Sequence, residues 1–509
     1  MSFRQMVPGL ILAFSLISTP AFAAPPEQAR GEPGGGGVLS LLPPDAVSDH
    51  VLDADGKSMA YTATAGTLDL FGQDGQRSAA IFYTAYVAKN RDAGRPITFV
   101  FNGGPGAASA FLNLGLVGPR ILDFGPDGRD GANAKLVDNP QSWLNFTDLV
   151  LIDPIGTGWS RTVKPDDQNE FYAVESDAES LAKAIALYVA HNGRAASPKY
   201  ILGESYGGFR SVKVANSLRE DQGILISGIV MLSPLLEGRL VFGGSDDALS
   251  AALELPSLAA AQLERQNAFS DKAVQDAQAF ALNEYLPVLA GPPPSGDAGR
   301  AFYGRVAKLT GIPEDVVAKN QGFLGSVYRK HSDGDGAEVA SAYDASFLAP
   351  DPYPQSDAEH GGDPILDGFV RAYGGAFSSY ARDELGFHTD MTYTLLSTSV
   401  NRQWKWGGRN DGGSRLSAGV TDDLKELLSL SSSFRLMVGQ GYSDLVIPFG
   451  VSKYVLDHMP SAFADRVALK LYRGGHMFYT RPTSREQFTT DAKAFFATQP
   501  PAAPAVKSN

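Results

Sequence analysis

Lys199-Tyr200-Ile201-Leu202-Gly203-Glu204-Ser205-Tyr206-Gly207-Gly208 is the stretch that decides how this chain folds. A short apolar run, Tyr200 to Leu202, enters a Gly-x-Ser-x-Gly pentapeptide, and Phe209 to Leu218 reads as a helix. Strand, sharp turn and helix are the context of a nucleophile elbow, where a strained turn lifts the serine oxygen clear of the sheet edge. Glycines two before and two after Ser205 leave out side chains that would clash where the two backbones crowd together. The plainer alternative is a Gly-rich turn with a surface serine. The strand leading in and the helix leading out argue against it.

Outward from the elbow, further short apolar runs punctuate the chain. Pro96 to Asn102 ends in Gly103-Gly104-Pro105-Gly106, and Asp148 to Asp153 ends in Pro154-Ile155-Gly156-Thr157-Gly158. Ile224 to Leu232, Ser433 to Val438 and Ala468 to Tyr472 are similar, the last ending in Gly474-Gly475-His476. Helical spacing marks Ser176 to His191, Gly450 to His458 and Glu486 to Ala497. Ser58 to Thr64 and Ala79 to Ala88 form an antiparallel opening pair. Buried runs alternating with helices predict an α/β fold, a mostly parallel sheet with helices on both faces. After Pro234 the rhythm breaks into Ala-rich helical stretches, proline clusters and acidic loops. Residues 46–234 and 431–498 are therefore expected to form the core, and 235–430 an inserted, mainly helical cap. Within the cap, Asp333-Gly334-Asp335-Gly336 slightly resembles a calcium loop, but the ligand pattern is not completed, and a solvated acidic loop is the better reading.

Composition narrows the function. The 509 residues carry a net charge of −13, which argues against nucleic acid or an anionic membrane as partner. Arg4, the apolar stretch Val7 to Ile17 and Ala21-Phe22-Ala23 read as a signal peptide over 1–23, so a periplasmic or extracellular location is expected. Residues 24–45, with four consecutive glycines, read as a flexible leader, and 499–509 as a loose tail. No later segment is apolar for long enough to span a membrane. The chain has no cysteine, which excludes a thiol nucleophile and cysteine-based metal sites. No cofactor or metal is called for.

Ser205, Asp444 and His476 each follow a predicted strand, and Ser…Asp…His is the chain order of α/β-hydrolases. The ends of parallel strands share one edge, where distant residues meet. Ser205 is then the nucleophile, His476 the base and later the acid, and Asp444 the group that holds the imidazole tautomer. Of seven histidines, only His476 stands after a strand, between Gly475 and the apolar Met477-Phe478. An oxyanion hole needs the N–H after the nucleophile, that of Tyr206, and a second from an early loop, assigned to Gly104.

Four blocks taken together, Asn102-Gly-Gly-Pro-Gly106, Asp153-Pro-Ile-Gly-Thr-Gly-Trp-Ser160, Gly203-Glu-Ser-Tyr-Gly-Gly208 and Gly475-His476-Met477, resemble the serine carboxypeptidase family. The resemblance covers roughly 80–235 and 430–498 and hardly touches the cap. It implies an α/β-hydrolase fold, peptide substrates, and a clamp for the substrate's terminal carboxylate made by Asn102, the N–H of Gly103, and Glu204. A glutamate facing a carboxylate must share a proton with it, so the resemblance also implies activity strongest at acid pH. The chain departs from the family at Ala107-Ala108-Ser109, where Cys-Ser-Ser is usual. Leu116 stands in place of a glutamate belonging to the hydrogen-bond network behind the clamp. Ile152-Asp153-Pro154 replaces Asp-Gln-Pro, where a local structural change is expected. Trp159, Trp404, Trp406 and Phe449 are candidates for lining side-chain pockets, with the core as their commoner place. An esterase or acyltransferase on the same triad, and an inactive binding protein of the same fold, are the competing functions.

Overall fold

Alternation of side chains along each apolar run builds the molecule. Phe99, Ile152, Ile201 and Ile229 face one apolar cluster, and Val100, Leu151, Leu202 and Val230 face another. Strands buried on both faces in this way belong to the middle of a covered sheet. The computed structural model describes residues 37–497 except 55–56, 91–93, 244–245, 335, 357–359 and 408–412. The expected signal peptide, the leader before Gly37, the tail, and Asp335 of the calcium-like piece lie outside the described residues.

Among the described residues ten strands form the main sheet: β1 (Ala46–Ala54), β2 (Lys57–Phe71), β3 (Arg77–Ala88), β4 (Ile97–Phe101), β5 (Asp148–Ile152), β6 (Arg161–Thr162), β7 (Lys199–Glu204), β8 (Gly228–Leu232), β9 (Arg435–Gly441) and β10 (Val467–Tyr472). The spatial order is β1-β2-β3-β5-β4-β7-β8-β9-β10, with β6 paired to β3. From β5 to β10 all neighbours are parallel, while β1, β2 and β3 are antiparallel. β1 is an addition to the expected opening pair. Its run Ala46-Val-Ser-Asp-His-Val-Leu-Asp-Ala54 sits at the sheet edge with Val47 and Val51 exposed, so it lacks the apolar signature of its neighbours. The described end of the leader holds one helical turn, Val38–Leu41, with Leu39 buried.

Helices α1 (Val174–His191) and α2 (Tyr206–Gln222) cover one face through Leu181, Ile185 and Val212. The other face receives Trp143, helix α4 (Pro364–Asp383) through Phe377 and Tyr380, and helix α5 (Pro482–Ala497) through Phe488. Truncating Leu202, fully buried between β4 and β8, to alanine is expected to cost about 3 kcal/mol, read as a lowered melting temperature.

The insertion after Pro234 is mainly helical. Helix α3 (Ala248–Arg265) and the helices of 271–319 enclose their own apolar cluster around Leu255, Leu258, Tyr285, Val306 and Tyr328. A small ribbon pairs Glu338–Ala340 with Leu348–Pro350. Residues 364–430 return to the sheet layers: Phe377 packs beside Phe82 and Trp159, and Leu424 and Leu427 join the cluster under α1 and α2. Among the described residues no helix is long and apolar enough to cross a membrane.

Candidate active site

Ser205 stands between the end of β7 and the first residue of α2 with φ 61° and ψ −126°. A non-glycine residue with this φ is strained, and such strain persists only where the surroundings enforce it. Here the Ser205 N–H donates to the Leu232 carbonyl at 2.8 Å, and its carbonyl accepts from Gly208 at 2.9 Å and Leu235 at 3.1 Å. The glycines of the motif are steric necessities. A Cβ on Gly203 would lie 2.0 Å from the Gly207 carbonyl oxygen, and one on Gly207 would lie 2.8 Å from that of Phe101.

Asp444 and His476 leave the same edge, after β9 and β10. Asp444 is wholly buried. Its Oδ1 accepts the N–H groups of Val446 at 2.8 Å and Ile447 at 3.0 Å, and its Oδ2 lies 2.8 Å from His476 Nδ1. Burial works against a charged His476, but the Asp444 carboxylate outweighs it, and the imidazole pKa is raised. Ser233, just past β8, links the loops: its N–H donates to Gly439 and its hydroxyl to the His476 carbonyl at 2.9 Å. From the insertion, Tyr343 accepts the His476 N–H at 2.6 Å and sets its ring edge-on to the imidazole at 5.3 Å.

The loop after β4 lies against the elbow. A Cβ on Gly103 would come within 2.6 Å of both the Glu204 oxygen and the Tyr206 nitrogen. Gly104 follows, exposed and at φ +100°, in the same loop. The Tyr206 N–H, first of α2, is at a helix start, which suits an anionic oxygen. Asn102 and Glu204 meet directly: Asn102 Nδ2 donates to Glu204 Oε2, and Asn102 Oδ1 takes the Leu112 N–H at 3.0 Å. The Arg210 guanidinium, held by Asp177 at 2.6 Å, donates to the Asn102 carbonyl. Burial pushes the Glu204 pKa up to about 7, against the pull of His476, Tyr479 and Asn102.

Tyr479 is a residue that the sequence reading missed. Its hydroxyl lies 3.0 Å from each oxygen of Glu204. Leu116, the departure from the family pattern, is buried in the helical turn 113–117, and donation to Glu204 comes instead from the tyrosine three residues past His476. Gly115 makes room for it, since a Cβ there would lie 2.7 Å from the Tyr479 ring and 2.5 Å from the Tyr373 hydroxyl. The only hint in the sequence was proximity to His476. Tyr343 had none.

At the Ile152-Asp153-Pro154 departure, Ile152 ends β5 opposite Tyr83, and Asp153 Oδ1 takes the Ser109 N–H at 2.8 Å and its hydroxyl at 2.7 Å. Buried Asp153, its pKa raised to about 6 by that burial, thus ties down the chain just beyond Gly106. Of the four candidate pocket aromatics, Trp404 and Trp406 stand edge-on to Tyr206 at 5.3 and 5.5 Å, next to the elbow. Trp159 and Phe449 are buried in the core, Trp159 among Phe82, Phe377 and Phe387. The described part of the calcium-like piece is a closed turn, Asp333 accepting the N–H groups of Gly336 and Glu338.

Residues 61–232 match a family model described as serine carboxypeptidase. The chain is 25% identical over 185 residues to a carboxypeptidase Y homolog of Arthroderma benhamiae, covering 36% of this chain and 33% of that one. It is 32% identical over 139 residues to the vitellogenic carboxypeptidase of Aedes aegypti, covering 26% of this chain and 27% of that one. The matched region thus spans about a third or less of these relatives' length. In fold, the chain is similar to the crystal structure of Kex1(delta)p, a prohormone-processing carboxypeptidase from Saccharomyces cerevisiae. That likeness has a TM-score of 0.51 at 15% identity and covers 85% of this chain and 92% of that one. Over residues 61–232 the chain is thus similar to the serine carboxypeptidase family.

Proposed function

We propose that the protein is a serine-type carboxypeptidase that removes C-terminal residues from peptides through an acyl-enzyme. The observation that carries this is the Asn102–Glu204–Tyr479 cluster beside the elbow, a buried carboxyl group whose pKa near 7 lets it carry a proton. An esterase has no use for such a group, whereas a free C-terminal carboxylate needs a partner that does not repel it.

In this mechanism Ser205 Oγ attacks the scissile carbonyl carbon while its proton passes to the free nitrogen of His476. Asp444, on Nδ1, fixes the tautomer and stabilises the imidazolium. The N–H groups of Gly104 and Tyr206 receive the oxyanion. Collapse breaks the C–N bond, and His476 returns the proton to the departing amino acid. Water, deprotonated by His476, then attacks the ester carbon, and Ser205 leaves with the proton. Throughout, protonated Glu204, Asn102 and the N–H of Gly103 hold the terminal carboxylate. The apolar start and the small residues at 21–23 support export to the periplasm or the extracellular space.

The test is hydrolysis of blocked dipeptides with a free C-terminus against the same dipeptides as C-terminal amides, from pH 4 to 8, with Ser205→Ala as blank. Free acids should be preferred, and kcat/KM on them should fall as Glu204 loses its proton through about pH 7, while amides escape that loss. On the acid side both fall as His476 takes a proton. Equal turnover of acid and amide at all pH values would exclude the clamp.

Tyr479→Phe supplies a related check. The hydroxyl favours ionised Glu204, so its removal should move the alkaline limb upward by about one pH unit. An unmoved limb would detach Glu204 from the profile.

A further inference from the structure

A cavity of about 320 Å³ lies between α3, the loop after β8 and the loop after β9, with Leu240, Phe242, Leu445 and Pro448 in its walls and Glu254 and Arg415 as its charged groups. Leu445 directly follows Asp444. Phe242 touches Trp406 at 6.4 Å, and Trp406 touches Tyr206 at 5.5 Å, so rings join the cavity wall to the elbow. The sheet order gives the cavity a direction. The clamp loop follows β4, on one side of β7, and the cavity lies past the ends of β8 and β9, on the other. A peptide with its last carboxylate at Asn102 and its scissile carbonyl at Ser205 would run from the β4 side of β7 towards β8 and β9.

Glu254 projects from α3 into this space. Among the described residues no hydrogen bond or ion pair is found at its carboxylate, and burial alone pushes its pKa up to about 7. The charged and titratable groups around it are otherwise engaged. Arg415 lies over the Phe242 ring at 4.6 Å, the Tyr285 hydroxyl donates to the Gly322 carbonyl at 2.6 Å, and the Tyr328 hydroxyl accepts from Arg265 at 3.1 Å. A half-buried carboxylate without a partner gains from a cation brought by the ligand. A site built around such a group also discriminates against ligands that leave it unpaired.

We propose, resting on the carboxypeptidase reading, that this cavity takes the side chain of the residue before the scissile bond and that Glu254 selects lysine or arginine there. Glu254 is then a specificity-determining residue on an element outside the matched family segment.

The experiment measures Kd by calorimetry on full-length Ser205→Ala protein for blocked dipeptides ending in a common leucine and carrying lysine, arginine or norleucine before it. Norleucine keeps the lysine chain without its charge. At pH 7 the basic peptides should bind about tenfold tighter than the norleucine peptide, the order expected of one desolvated ion pair. The ratio should shrink towards one at pH 5 as Glu254 takes a proton, and vanish in Ser205→Ala/Glu254→Gln. Glu204 affects all three peptides alike and leaves the ratio untouched. If Glu254→Gln does not fold, the ratio at the two pH values decides alone. Equal affinities at pH 7 overturn the inference, while turnover of the norleucine peptide by the unmutated protein would leave the carboxypeptidase reading standing. No binding and no turnover of any free acid would fell both.

Discussion

Asp444→Asn is expected to lower kcat about 10⁴-fold and leave KM within a few-fold. The reason lies in how the carboxylate is oriented. Oδ1 is committed to two backbone N–H groups, at 2.8 and 3.0 Å, and only Oδ2 meets His476. An asparagine must keep its carbonyl oxygen on the backbone side, because its amide cannot accept those two bonds. Its NH₂ then faces Nδ1, which forces the proton onto the other ring nitrogen and leaves nothing to accept the serine proton. The loop contacts survive, so the melting temperature should hardly move. A loss in kcat below tenfold would mean that His476 is not the base.

Gly103→Ala is expected to lower kcat/KM at least about 10²-fold, the scale set by misplacing catalytic groups by about 1 Å. The added methyl would lie 2.6 Å from Glu204 O and Tyr206 N and 2.9 Å from Gly207 N. All three are backbone atoms, so no rotamer change relieves the contact. The β4 loop must lift off the elbow, and the Gly104 N–H and Asn102 move with it. Gly375→Ala is the control: it lies within α4, where a Cβ meets nothing within 4 Å, and should leave kinetics unchanged. Gly103→Ala with parental kinetics would show that the two backbones need not be so close.

How much of this was legible in the sequence follows from where each signal resides. β4, β5, β7, β8 and β9 are buried on both faces, so unbroken apolar runs betray them, and the glycines around Ser205 and after Phe101 mark close backbone approach. Ser205 and Asp444 each follow such a run, while His476 follows the half-buried β10 and is marked by the glycines just before it. β1 was not, since an edge strand carries polar residues on its open side. The layering of 364–430 onto the sheet was hidden as well, because an apolar helical stripe says nothing about which surface it meets. Tyr479 and Tyr343 make contacts that exist only after folding.

The most direct measurement of the central claim is the mass of a free-acid peptide of about ten residues during incubation with the protein, with a C-terminally amidated copy in parallel. A ladder of single-residue losses from the C-terminus of the free acid is expected, with far slower loss from the amide and none with Ser205→Ala. Internal cleavage, loss from the N-terminus, or an unchanged ladder with Ser205→Ala would contradict the claim.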